Sequence, residues 1–266
     1  MHPLLPSLAA AFLYAGATAY QGLHLKKRST PDKRLLVPFG ALALLLHAIS
    51  LFYQLNHDGA LNLDFFNAAS LIACAVIGLI LLACARIPVQ NLLLLLFPLG
   101  ALTVLLAEFM PSGTIRPVAA HPGILAHILL SILAYGLLTI AVFQSILLLL
   151  QDYQLKHKHP SGLIKNFPPL QTMESLLFGF LWAGWSLLSL SLVSGWLFLG
   201  NLFAQHLVHK TLLACLAWIV FSVLLWGRHH LGWRGHKAIR WTFAGFCLLM
   251  LAYFGSKLVR EYILHI

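Results

Sequence analysis

Residues 205–235 read QHLVHKTLLACLAWIVFSVLLWGRHHLGWRG, and the fold follows from what this stretch must do. His206 and His209 stand at its start, an apolar run extends from Thr211 to Trp226, and a block with Arg228, His229, His230, Trp233 and Arg234 ends it. The run falls in the length class of a membrane helix, about 20 residues for about 30 Å of hydrocarbon. Its two ends therefore belong to opposite faces of a bilayer. What His209 can meet depends on which compartment it faces.

Outward from this run the chain keeps the same character. It is 60% hydrophobic and 9% charged, with a mean hydropathy of +0.87, as in a polytopic membrane protein. The net charge of +10 would suit nucleic acid, but the lysines and arginines lie between apolar runs and form no single stripe. Orientation in the membrane explains them better, and no nucleic-acid partner is expected. The four cysteines, Cys74, Cys84, Cys215 and Cys247, all fall inside apolar spans without a CxxC pair, and they read as small buried hydrophobes.

Hydropathy gives eight spans: 5–24, 35–55, 66–85, 89–110, 124–152, 176–200, 211–227 and 239–256. Lipid leaves the backbone no partner but itself, so each span should be helical. The expected fold is an all-α polytopic bundle of about eight transmembrane helices, one membrane-embedded domain over residues 1–266. The opening MHPLLPSLAAAF lacks a basic n-region and reads as a retained first span. Pro168-Pro169 precede a fresh helix start at Thr172.

Thirteen of the seventeen lysines and arginines fall on one face, in the loops after spans one, three, five and seven. Arg116, Lys210, Lys257 and Arg260 fall on the other. The positive-inside rule puts the first set in the cytoplasm and both termini in the periplasm. His127, His209 and Glu108 then stand near the outer ends of spans five, seven and four.

Span five carries His127, Ser131, Tyr135 and Thr139 at intervals of four, so the polar stripe drifts slowly around one helix face. Hydrogen bonding to neighbouring helices accounts for such a stripe without further function. Span seven has a second stripe of His209, Trp218, Ser222 and Trp226, for which aromatic packing and an interfacial belt are the plain alternative. Taken together, His127 and His209 each lie within about a turn of the outer end of a span. Two neutral imidazoles facing one cavity suit the axial positions of a haem iron. Trp182, Trp185, Trp196, Phe198 and Phe203 would supply an apolar wall, and Lys210 a partner for a propionate. His47 lies deeper, in LLLHAISLF, where either a function or one hydrogen bond to a neighbouring helix explains it. Glu108 would partner a histidine or Arg116. His157, His159, His229, His230 and His236 stand among cytoplasmic basic residues, as expected near anionic headgroups.

Two blocks carry a family resemblance: residues 217–259, AWIVFSVLLWGRHHLGWRGHKAIRWTFAGFCLLMLAYFGSKLV, and residues 121–136, HPGILAHILLSILAYG. They resemble the cytochrome c assembly family, which includes the CcsA, CcmC and HemX types, and the likeness extends over nearly the whole chain. It implies a haem-handling protein of the bacterial inner membrane, with lipids, haem and other cytochrome c maturation proteins as partners. Haem-transporting members flank a tryptophan-rich external loop with two external histidines. His127 matches the first. The second has no clear counterpart, since the last segment, SKLVREYILHI, is short and carries only His265. The tryptophan-rich loop is replaced by SGWLFLGNLFAQHLVHKT, and Trp226 stands where those members place an intramembrane histidine.

The expectation is therefore a noncovalent haem b site with His127 and His209 as iron ligands and His47, Tyr135 and Trp196 around the cofactor. His209 rests on placement alone. No chemical step is required of such a chain, so no enzyme activity is expected. A haem-free membrane regulator that keeps the fold is an alternative. A b-type electron carrier is weaker, because only His47 lies deep.

Overall fold

The computed structural model describes residues 4–27, 29, 31–57, 60–110, 122–157, 167–198 and 208–255. They form eight α-helices: α1 (Leu4–Lys26), α2 (Lys33–Leu55), α3 (Phe65–Ala83), α4 (Leu93–Phe109), α5 (Pro122–Lys156), α6 (Leu170–Phe198), α7 (Val208–Leu231) and α8 (Gly235–Met250). A 3-10 turn, Gln90–Leu92, leads into α4, and a π turn, Leu251–Gly255, continues α8. A small antiparallel hairpin pairs Asn56 with Leu61 and His57 with Ala60 between α2 and α3.

The all-α bundle with about eight spans agrees with the reading of the sequence. Among the described residues seven helices, α2 to α8, are long and apolar enough to cross a membrane. The first helix has 23 residues, but Tyr14, Thr18, Tyr20 and Gln21 make it less apolar, and it falls outside that set. Helix α6 begins at Leu170, directly after the proline pair and a turn and a half before the span expected from hydropathy. Helix α5 has 35 residues, about 52 Å at 1.5 Å per residue, so it tilts or extends beyond the hydrocarbon. Asp32 caps α2 by accepting from Arg34 N at 2.9 Å, and Asp64 caps α3 by accepting from Asn67 N at 2.7 Å. Pro38 and Pro98 are each the sixth residue of their helix, α2 and α4, where a proline removes a single early ladder bond.

The helices gather into two compact units. The first comprises α1 to α4 and the end of α5 from Gln151. Its four helices pack in a ring, each against the next, with α4 returning to α1. Tyr14, Phe97, Ile77, Ile80 and Leu36 are buried at its centre, and Tyr14 stacks on Phe97 with centroids 5.5 Å apart. Close approach here needs glycine. A Cβ at Gly100 would lie 2.5 Å from Ile77 Cδ1 and 3.1 Å from Tyr14 Cε2. Gly100→Val is therefore expected to lower the melting temperature of the purified protein, at an overpacking cost of about 1–3 kcal/mol. Gly16→Val, which meets nothing within 4 Å, should leave it unchanged.

The second unit comprises α5 up to Leu150 with α6, α7 and α8. Leu138, Leu177, Leu181, Phe221 and Leu224 fill its core. A reciprocal clasp joins α6 to α7. Trp185 Nε1 donates to Ser222 Oγ and Trp218 Nε1 donates to Ser189 Oγ, each at 2.8 Å, while the two indoles stack with centroids 5.7 Å apart. Each serine in turn donates to the carbonyl of the tryptophan four residues before it on its own helix. Both helices thus spend the same Trp-x-x-x-Ser pattern on each other, satisfying two indole N–H groups inside an apolar bundle.

Candidate functional site at one end of the second unit

His127 is the sixth residue of α5 and half-buried. Its Nδ1 lies 2.9 Å from the Ser191 carbonyl oxygen and 3.2 Å from Ser194 Oγ, both on α6. A carbonyl can only accept, so Nδ1 carries the proton and the neutral ring keeps its lone pair on Nε2. No described hydrogen bond engages Nε2. An imidazole anchored to a backbone carbonyl through one nitrogen, with the other bare, is prepared to ligate a metal.

The sequence of α6 makes this anchoring possible. Ser191 and Gly195 are four apart and Ser194 lies between them, a small-residue face that lets another helix come close. A Cβ at Gly195 would stand 3.0 Å from His127 Cε1, so the ring rests directly over that glycine. Ser131 adds a second link at 2.7 Å to Ser191 Oγ, and Phe198 covers Gly123 at the start of α5. The polar stripe of α5 therefore faces its neighbours as expected. Ser131 also donates to the His127 carbonyl, Thr139 to the Tyr135 carbonyl, and Tyr135 Oη to the Leu249 carbonyl on α8. Tyr135 thus serves as a buried interhelical tie.

His209 is the second residue of α7 and exposed. Beside it, Lys210 Nζ lies 6.0 Å from the centroid of the Tyr253 ring in the π turn after α8. Tyr253 lies 5.8 Å from Tyr135, centroid to centroid. The start of α7 and the end of α8 thus lie beside the fourth turn of α5, while the first turns of α5 pack on the end of α6 through Phe198 over Gly123 and His127 over Gly195. His127 and His209 stand among these helix ends, though no described hydrogen bond or ring contact joins them. Trp196 follows Gly195 there and is 71% exposed. Trp182 and Phe198 are also exposed, whereas Trp185 is spent on the α6–α7 clasp. Phe203, His206, Arg116, His159 and His265 lie outside the described residues.

His47 belongs to the first unit and is fully buried. Both ring nitrogens are engaged, Nε2 with Ser70 Oγ at 2.8 Å and Nδ1 with Tyr14 Oη at 3.4 Å. Unlike His127, it offers no bare lone pair. Glu108 meets no described histidine or cation; Ser7 and Gln54 donate to its Oε2.

Sequence reasoning passed over Glu174. It is the acid nearest the basic block after α7, and its carboxylate ties that block together. Arg234 binds it through Nη2 at 3.0 Å and Nε at 3.1 Å, Arg228 Nη1 lies at 3.5 Å, and the Gly235 N–H donates at 3.2 Å. Gly235 has φ +54°, a conformation that favours glycine, which aims its N–H at the carboxylate. Arg228 also lies over the Phe178 ring at 4.5 Å.

These features define a polytopic helical membrane protein with a histidine anchored through one ring nitrogen at one end of a helix cluster. The chain belongs to a family: residues 36–264 match the model of the cytochrome C assembly protein family. It is 35% identical to the inner membrane protein YpjD of Escherichia coli strain K12 over 97% of this chain and 98% of that protein. It is 27% identical to the protein HemX of Brevibacillus brevis over 59% of this chain and 60% of that one. No solved structure matches it. With its apolar helices, this places the protein in the bacterial inner membrane as a multi-pass member of a family concerned with cytochrome biogenesis.

Proposed function

We propose that this protein binds haem noncovalently at the exposed end of its second helical unit and assists c-type cytochrome maturation by holding or passing it on. His127 Nε2 is the primary ligand and His209 the second. The observation that carries the proposal is the anchoring of His127 Nδ1 on the Ser191 carbonyl, which leaves Nε2 as a bare donor at a membrane-protein rim. Among the described residues no group of three or more His, Cys, Asp or Glu side chains could hold a metal by itself. An iron already held by a porphyrin needs only one or two protein ligands, and that is what this end of the unit supplies.

The residues fit such a guest in three ways. Ser191 and Ser194 fix the ring of His127, exposed Trp196 and Phe198 offer apolar surface beside it, and Lys210 provides a cation next to His209. The bound iron porphyrin would supply a Lewis-acidic centre, and the chain's work is to bind and orient it. No residue is assigned a bond-making step, so the protein acts as a carrier and not as an enzyme. By the positive-inside count this end faces the periplasm, where c-type cytochromes receive their haem.

Protein purified in mild detergent from cells making haem should show a Soret band and a b-type pyridine haemochrome. Preparations that stay colourless and fail to bind added haemin would contradict the proposal.

A further inference from the structure

The turn between α7 and α8 concentrates positive charge. From 175 to 260 the sequence contains no aspartate or glutamate, yet Arg228, Arg234, Lys237 and Arg240 all fall between 228 and 240. Glu174, from α6, takes up Arg228 and Arg234. Lys237 and Arg240 are left over. Both are exposed, and among the described residues neither forms an ion pair or donates a hydrogen bond.

Lys237 is nevertheless held in place. Its Nζ stands 4.1 Å from the centroid of the Trp233 ring, a cation–π contact that leaves its N–H groups available on the other side. Trp233 is itself fixed. Its N–H donates to the Gly227 carbonyl at 3.1 Å, and its own carbonyl accepts from Arg228 Nη1 at 3.2 Å. The ring covers Gly227 so closely that a Cβ there would lie 2.5 Å from Trp233 Cδ2. The Trp241 ring tilts against that of Trp233 with centroids 5.3 Å apart. Trp233, Lys237 and Trp241 recur at intervals of four and so line one side of the start of α8. Arg240 stands three residues beyond Lys237, a spacing that puts Cβ atoms about 5–6 Å apart.

Depth in the membrane identifies what this arrangement meets. A turn joining two helices that are each long enough to cross a bilayer lies at headgroup level, where tryptophan rings also concentrate. The uncommitted ammonium and guanidinium therefore stand among lipid phosphates. The positive-inside count puts them in the cytoplasmic leaflet, whose surface potential is negative. We propose that the α7–α8 turn is a binding site for one anionic phospholipid of that leaflet. Its phosphodiester accepts from Lys237 Nζ and the Arg240 guanidinium, and its glycerol and first acyl carbons lie against the Trp233–Trp241 pair. A zwitterionic phospholipid brings its own ammonium to compete for the phosphate, so the site selects for net negative charge. It lies at the other end of α7 from His209 and is independent of haem binding.

The test is a lipid titration of the full-length protein in mild detergent, read by native mass spectrometry, with phosphatidylglycerol and phosphatidylcholine as probes. Wild type should retain one phosphatidylglycerol in preference to phosphatidylcholine. A basic side chain at a headgroup surface contributes about fivefold in affinity, so Lys237→Gln/Arg240→Gln should weaken that first binding event by roughly 25-fold. Lys237→Arg should keep most of it. Lys26→Gln/Lys27→Gln removes the same charge from two exposed lysines after α1 and should leave the first binding event unchanged. Phosphatidylglycerol should also raise the melting temperature of wild type but not that of Lys237→Gln/Arg240→Gln, which separates lost binding from lost folding. Equal weakening in the two double variants would reduce the effect to a diffuse field and overturn the proposal, as would equal retention of the two lipids. Displacement of the lipid by a stoichiometric poly-glutamate peptide would assign the turn to an acidic protein and overturn it too.

Discussion

Replacing His127 by alanine is expected to remove most of the haem that copurifies with the protein, with a larger effect than any other single histidine change. The reason lies in how the ring is held. Its Nδ1 is committed to the Ser191 carbonyl and Ser194 Oγ, so the orientation of Nε2 is set before any ligand arrives. A pre-organised ligand loses little entropy on binding, and its loss is correspondingly expensive. At about 1.4 kcal/mol per tenfold change, a fall in affinity of about a hundredfold corresponds to about 2.8 kcal/mol. His209→Ala should cost less, because that side chain is exposed and no described contact fixes its ring. Added imidazole should partly restore the spectrum of His127→Ala, since it can occupy the vacated axial position, but it should do nothing for a variant that has merely unfolded. Gly195→Val should mimic a weak His127 defect, because the new side chain pushes the ring away from its serine anchors.

The second large effect should come from Glu174. Its carboxylate is only 9% exposed and receives Arg228, Arg234 and the Gly235 N–H, joining α6 to the turn between α7 and α8. Glu174→Ala leaves Arg228, at 28% exposure, beside an apolar wall without its counter-charge. Breaking a fully buried pair costs about 3–5 kcal/mol. Arg234 is 59% exposed and can turn to water, which reduces the expected loss to about 2 kcal/mol. At about 2–4 °C per kcal/mol for a chain of this size, the melting temperature should drop by roughly 4–8 °C. Glu174→Gln keeps two acceptor–donor contacts and should fall between the two. A melting temperature unchanged in Glu174→Ala would mean the ion cluster is solvated and contributes little.

Much of the fold was legible because most spans are apolar runs with lysine, arginine or proline at one end or both. Pro168-Pro169 even located the start of α6 to within two residues. His127 was legible for a related reason: it heads a stripe at intervals of four, and only a helix face turns such spacing into a line. What His127 binds was not. Serines in membrane helices often donate to the carbonyl four residues before them, as Ser189, Ser222 and Ser131 do here, so a serine in the sequence does not reveal whether it also serves a neighbour. The pairing of Ser191 and Ser194 with His127 required knowing that α5 and α6 touch at Gly195.

The span-seven stripe shows how such spacing can mislead. Trp218 and Ser222 face α6, whereas Trp226 is 55% exposed and lies against His230 instead. Four residues advance about 400° around a helix, so eight residues drift about 80° and carry the last member off the face. Glu174 escaped notice because its partners lie 54 to 61 positions away and only the helical packing brings them together. His47 was recognised as buried, but its saturation by Ser70 and Tyr14 depends on three helices meeting, which no single stretch encodes.

The most direct test of the account is a haemin titration of the detergent-purified protein beside the His127→Ala/His209→Ala double variant, followed by absorption and low-temperature EPR spectroscopy. Wild type should give a saturable Soret shift and a six-coordinate low-spin signal with two nitrogenous axial ligands, and the double variant should show neither. A double variant that binds haemin to the same occupancy, with the same low-spin signal, would contradict the assignment of the iron to this end of the second unit.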